Sequence, residues 1–206
     1  MKSKQAEFVI IDTETTGLSA TNGDRMVEIA AVKIKKGSVV ERFESFIDPE
    51  RAIPHGAQHI HKITKEMLKN APKAKEILPD VLHFIGGACV VGHNIKFDLD
   101  FLCYQLSLIG RKLKNETPAL DTLKMSKHFL PHLSNYSLSS VALSFGIKIK
   151  ETHRALADAE LTADVFIRLL EMAEEQKLET FQILFEKFNT PKPNFKIEEE
   201  KQAILF

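Results

Sequence analysis

Two carboxylates one residue apart end an apolar run in FVIIDTETTGL, Phe8 to Leu18. Side chains alternate faces along a strand, so Asp12 and Glu14 share a face and repel one another unless a cation lies between them. Two further clusters carry groups of the same kind. In VVGHNIKFDLDFL an apolar strand ends in His93-Asn94, and Asp98 falls in the first turn of the helix that follows. In THRALADAE, His153 precedes a helix and Asp158 lies inside it. Each cluster alone is weak. With 28 acids in the chain, roughly four acid-x-acid pairs arise by chance. Asn94 could be an ordinary helix cap, and Arg154 with Asp158 a surface pair. Together they supply four carboxylates and an imidazole, each at the start or end of a buried element. Such oxygen-rich sets suit hard cations, Mg²⁺ or Mn²⁺, rather than zinc. Two such ions about 4 Å apart can activate water and stabilise a leaving oxygen in phosphodiester hydrolysis.

The elements that must hold these groups follow from the apolar pattern. FVIID, MVEIAAVKI and VVERFESFI read as three antiparallel strands, with a turn at Lys36-Gly37-Ser38 and a stop at Asp48-Pro49. From about Thr64 the period changes to that of a helix through Ile77, Val81 and Phe84, ended by Gly86-Gly87. A short strand, ACVVG, leads into a helix from about Lys96 to Leu108, and the brief segment PALD precedes three helices near 122–129, 137–145 and 154–174. In the last of these Leu156, Ala159, Ala163, Phe166 and Leu170 form one apolar stripe. A final helix is expected over 179–188. Strands first, then strands and helices mixed, indicate an α/β layered domain with a mixed sheet and the acids at the end of its central first strand.

Composition sets limits on partners. The chain has 206 residues, 44% hydrophobic and 27% charged, enough for one domain with a real core. Its 28 basic and 28 acidic residues cancel, so it lacks the global positive field of a protein that coats DNA, and any nucleic-acid contact must be local. Cys89 and Cys103 both sit in apolar patterns and read as reduced core thiols. Without a leader-like start or a membrane-length apolar run, a cytoplasmic protein with no membrane contact is expected.

DTETTGL, HNIKFD and HRALADAE, in this order, resemble the three motifs of the DEDDh 3′→5′ exonucleases, most closely the branch of the proofreading epsilon subunits of bacterial DNA polymerase III. The likeness covers roughly residues 6 to 175 and includes IPHGAQHIHKIT, which is similar to the family's segment leading to a histidine near the substrate. It implies a ribonuclease H-like fold, a mixed five-stranded sheet flanked by helices. It further implies that Asp12, Glu14, Asp98 and Asp158 bind two divalent ions, with His153 as general base. Thr13, Thr15, Leu18, His61, Asn94 and Phe97 would then line the pocket for the 3′-terminal nucleotide. The sequence departs from the family pattern at Lys62, where relatives often carry glycine. A histidine suits the base's role because its ordinary pKa near 6.5 leaves it mostly neutral at physiological pH.

The resemblance implies hydrolysis of single-stranded or frayed 3′ DNA ends, proofreading, and association with a polymerase III catalytic subunit. Thr15 after the second acid, where small-RNA exonucleases typically carry methionine, favours DNA over an RNA-trimming enzyme. An inactive binding adaptor is the alternative of another class, and the five intact chemical positions stand against it. Residues 1–188 are expected to form the exonuclease domain and 189–206 a flexible tail. Within that tail Gln202, Leu205 and Phe206 resemble a short sliding-clamp-binding peptide.

Overall fold

A computed structural model of the chain describes residues 5–149, 153–178 and 180–196. Its centre is a five-stranded mixed sheet in the order β3-β2-β1-β4-β5, with β1 in the middle. β1 (Glu7–Thr15), β2 (Met26–Lys35) and β3 (Ser38–Phe46) form the expected antiparallel meander. Lys36 and Gly37, at φ 52° and 75°, make the tight turn between β2 and β3. Two consecutive positive-φ residues match the right-handed twist of a hairpin. β4 (Cys89–Gly92) and β5 (Ala119–Asp121) join on the other side, parallel to β1.

Helices cover both faces because β1 is apolar on both. Phe8 and Ile10 belong to one core, shared with Ala159, Ala163 and Phe166 of α6 (Ala155–Glu175) and with Met125 and Phe129 of α4 (Thr122–Phe129). Val9 and Ile11 belong to the other, with Val81 of α2 (Ala74–Ile85) and with Leu99 and Leu102 of α3 (Lys96–Leu108). Near-continuous burial on both faces is what a central strand in such a sandwich requires.

The pairing of β1 with β4 stops early. Only Phe8, Val9 and Ile10 pair with Cys89, Val90 and Val91, while pairing with β2 continues to Thr15. The carboxyl half of β1 is therefore open on the β4 side, leaving a crevice beyond the strand ends. Gly92 closes β4 at this point, where a Cβ would come within 2.5 Å of Ile95 Cδ1 and 3.2 Å of the Ile11 carbonyl. Glycine is thus what lets α3 start close against β1.

The structure differs from expectation in three places. The helix expected from Thr64 starts at Ala74, with Lys73 as its cap and Pro72 ahead of it, and residues 65–70 form turns. A short helix not expected, α1 (His55–His61), precedes those turns. The tail expected to begin at 189 is packed onto the domain as far as 196. Asn189 bridges to Leu120, and the Thr190 amide donates to the Ala119 carbonyl, extending the sheet beyond β5. Lys192 Nζ donates to the carbonyls of Lys114, Asn115 and Thr117, and Phe195 stands edge-on to Tyr104. The remaining helices are α5 (Leu138–Ser144) and α7 (Phe181–Phe188). No helix among the described residues is long and apolar enough to cross a membrane.

Candidate active site

The alternation that places Phe8 and Ile10 against α6 continues past the core, so Asp12 and Glu14 project toward α6 as well. Asp158, in the first turn of α6, meets them there. One carboxylate oxygen from each of Asp12, Glu14 and Asp158 lies within 4.8 Å of the other two. Asp98, buried in the first turn of α3, reaches the open edge of β1 from the other side of the sheet. Thr13, which points to that side, donates its hydroxyl to Asp98 Oδ1 at 2.8 Å.

The four expected acids therefore converge on the end of β1 from three elements, at an electrostatic cost. Burial, then the charges of Asp98, Asp158 and Glu14, hold the Asp12 carboxyl well above its ordinary range. Burial and Asp158 push Glu14 up to about 8. Burial pushes Asp98 up to about 7 against the pull of its hydrogen bonds, that from Thr13 foremost. Groups so placed cannot all be ionised at neutral pH unless a cation joins them. An all-carboxylate donor set with this frustration fits a hard divalent ion. At least Asp12, Glu14 and Asp158 are near enough together to hold one.

His153 lies next to the cluster through its backbone. Its N–H donates to Asp158 Oδ2 at 2.8 Å, its φ is 63°, and its side chain is exposed. The pocket residues divide into two groups. Leu18 is 87% exposed at the tip of the loop after β1, Asn94 is exposed in a left-handed conformation at φ 64°, and Phe97 is half-buried against Phe101 at 5.0 Å. Thr13, Thr15 and His61, the other residues expected at the pocket, are buried. The Thr13 hydroxyl orients Asp98, and that of Thr15 donates to the Gly17 carbonyl at 2.6 Å. His61, only 2% exposed, accepts from the Ile63 amide at Nδ1, so its proton sits on Nε2. Nε2 lacks a hydrogen-bond partner of normal geometry among the described residues. Burial lowers the His61 pKa, while nearby Glu28 and the Thr15 backbone pull the other way.

The departure at Lys62 falls on a left-handed position. It caps α1 at φ 60°, a conformation that glycine adopts without strain.

Three acids that sequence reasoning passed over complete the frame. Asp24 accepts from the Ser19 amide at 3.1 Å and from Arg51 at 3.2 Å, fixing the loop that carries Leu18. A Cβ on Gly17 would fall within 2.6 Å of that carboxylate, so the loop needs glycine there. Asp121, at the end of β5, accepts from the amides of Asn94 at 3.0 Å and Leu123 at 2.9 Å. Glu28, buried in β2, pairs with Arg154. The signal available for Asp121 was the one that marked Asp12, an acid closing an apolar strand. For Glu28 it was a lone acid inside an apolar one.

The exonuclease family matches residues 9–166, from the first strand through most of α6. A DNA polymerase III PolC-type protein of Caldanaerobacter subterraneus subsp. tengcongensis is 41% identical over 173 residues, 84% of this chain but 12% of that protein. The chain thus spans a small part of the length of the PolC-type relatives. The DNA polymerase III subunit epsilon of Aquifex aeolicus is 38% identical over 165 residues, 80% of each chain. Among solved structures, Exonuclease X in complex with 5′ overhanging duplex DNA superposes with a TM-score of 0.68 at 26% identity, covering 86% of this chain and 99% of that one. With the acids of all three motifs gathered at the end of β1 on a ribonuclease H-like sheet, the chain belongs to the exonuclease family, among its DEDDh members.

Proposed function

We propose that this chain is a metal-dependent 3′→5′ exonuclease that hydrolyses DNA from its 3′ end to nucleoside monophosphates, proofreading in replication or repair. The observation that carries the reading is the meeting of Asp12, Glu14 and Asp158 within 4.8 Å, with Asp98 held beside them by Thr13. The relatives named as polymerase III proteins support the replication setting.

Asp12, Glu14, Asp98 and Asp158 are the residues that would hold two divalent ions, Mg²⁺ or Mn²⁺. When bound, these supply Lewis-acid stabilisation of the charge that builds on the phosphate and make water a better nucleophile at neutral pH. Every other part of the reaction belongs to the protein. His153 accepts the proton of the attacking water, from a segment whose backbone is tied to Asp158. Phe97 stacks on the terminal bases and Leu18 wedges against them, contacts that tolerate any sequence. Asn94, exposed in its left-handed conformation, and His61 complete the pocket for the 3′-terminal nucleotide. Frayed mismatched ends are cheaper to unpair, so they enter more readily without any mismatch-reading residue.

Partners follow from the same reading: single-stranded or frayed 3′ DNA ends, a polymerase III catalytic subunit, and a sliding clamp. Gln202, Leu205 and Phe206, the clamp-peptide residues, lie outside the described residues. With 189–196 packed on the domain, any tether to a clamp begins after 196 rather than at 189.

The test is turnover on 5′-labelled single strands of DNA and RNA of one sequence, with Mg²⁺, with Mn²⁺ and with chelator. Stepwise loss of 3′ mononucleotides, faster on DNA and abolished by chelator, is expected. Faster trimming of RNA would make the chain an exoribonuclease, and no turnover with either ion would make it a binding adaptor.

A further inference from the structure

Glu28 is an expensive residue to keep. It is 2% exposed, and it faces Glu14 across the β1–β2 register, beside carboxylates that already repel one another. Its charge raises the proton affinity of both Asp12 and Glu14. Arg154 answers it from two directions, with Nη2 at 2.7 Å from Oε1 and Nε at 3.2 and 3.3 Å from the two oxygens. The guanidinium also lies 5.3 Å from the centre of the Phe46 ring. The same carboxylate accepts the Ala155 amide at 2.9 Å, and so serves as the cap of α6 that Arg154, at the cap position, does not itself provide.

These contacts bracket His153. Its own amide is held by Asp158, the next side chain by Glu28, and the amide after that by Glu28 again. A non-glycine residue at φ 63° is strained and persists only where its surroundings over-determine it. Three consecutive anchors do so here. An ion pair that leaves water this far adds little net stability, because desolvation offsets the attraction. What it does supply is a fixed backbone.

We infer that Glu28 and Arg154 form a positioning pair that acts through His153. It fixes the backbone direction from which that imidazole approaches the carboxylates, and Arg154 offsets part of the charge that Glu28 adds beside Glu14. This rests on the exonuclease reading above, in which His153 is the base. Misplacing a reacting group by about 1 Å can cost roughly 100-fold in rate. Arg154→Ala should therefore lower kcat roughly 10- to 100-fold and change KM by less than about 3-fold.

The test is a double-mutant cycle of Arg154→Ala with His153→Ala on the full chain, read as kcat and KM on a labelled single strand. Amide exchange at His153 and Ala155 is followed in parallel. The expected result is a large loss for Arg154→Ala in the parent, a loss of less than about 3-fold in the His153→Ala background, and faster exchange at both amides. Arg154→Ala leaves Glu28 buried without its cation, so the folded fraction is measured by thermal unfolding and kcat is read per folded molecule. Arg154→Lys, which keeps the charge but not the fork, should show a smaller loss of the same pattern. Glu28→Gln should behave as Arg154→Ala does. Losses that multiply across the cycle, or a parent-like kcat in Arg154→Ala, would overturn the inference while leaving the exonuclease reading standing. A parent that hydrolyses no 3′ end would overturn that reading and, with it, the positioning role.

Discussion

β1 contains two regions built on one alternation. From Phe8 to Ile11 every side chain is apolar and buried, and as far as Ile10 the strand is paired on both sides. From Asp12 to Thr15 the strand still pairs with β2, but β4 has ended and acids and threonines take the places of the apolar residues. The first half gains free energy from burial. The second spends part of it, holding carboxylates whose mutual repulsion and desolvation raise their proton affinity. The difference shows how the site is made: one strand outruns its parallel partner, and the faces that had pointed at two cores then point at Asp158 on one side and Asp98 on the other.

The largest expected effect comes from breaking the second half. Asp12→Asn or Glu14→Ala should abolish hydrolysis while leaving the metal-free protein as stable as the parent or more so, since each removes a repelling carboxylate. A nuclease assay paired with thermal unfolding in chelator checks both parts, and activity within a few-fold of the parent would contradict the assignment. Breaking the first half should do the reverse. Phe8 is buried edge-on against Phe166 at 4.8 Å, so Phe8→Ala should cost about 3 to 5 kcal/mol in denaturant unfolding, with residual activity tracking the folded fraction. His153→Ala should lower turnover roughly 10²- to 10⁴-fold without loss of Mn²⁺ affinity measured by calorimetry. The smallest effect concerns the rim. Lys62→Gly should stabilise the domain by about 0.5 to 1 kcal/mol, because glycine adopts the left-handed cap without strain; a midpoint unchanged or lowered in urea would show that the Lys62 contact to the His59 carbonyl outweighs the strain.

The sequence made the first half of this comparison plain and much of the second. Apolar alternation marks β1, β2 and β3 because a sheet with helices on it must bury both faces, and acids that interrupt such runs stand out. The acids that brace rather than react were not legible in the same way. Nothing in MVEIAAVKI says that Glu28 will find a guanidinium 126 positions later, and Asp121 sits in a strand only three residues long. The segment 189–196 read as a linker because its prolines and charges are those of one. Its order comes from tertiary contacts, a lysine among three carbonyls and a phenylalanine on a tyrosine, that composition does not encode. Likewise α1 is too short, and too poor in apolar residues, to show a helical period.

The most direct test of the central claim, that the end of β1 is an electrostatic liability which a divalent ion relieves, is thermal unfolding across pH with and without Mn²⁺. Without metal, burial and Asp158 push the Glu14 carboxyl in the native state up to about 8 from its ordinary 4.5. The native state therefore binds more protons than the unfolded chain between these values, and stability falls as pH rises through them. In chelator, Tm should decline from pH 5.5 to pH 8. A free Mn²⁺ concentration about 100 times its Kd should raise Tm by roughly 5 to 10 °C at pH 8, where the carboxylates give up their protons most readily, and by less at pH 5.5. A Tm that stays flat with pH in chelator and does not respond to Mn²⁺ or Mg²⁺ at pH 8 would contradict the account.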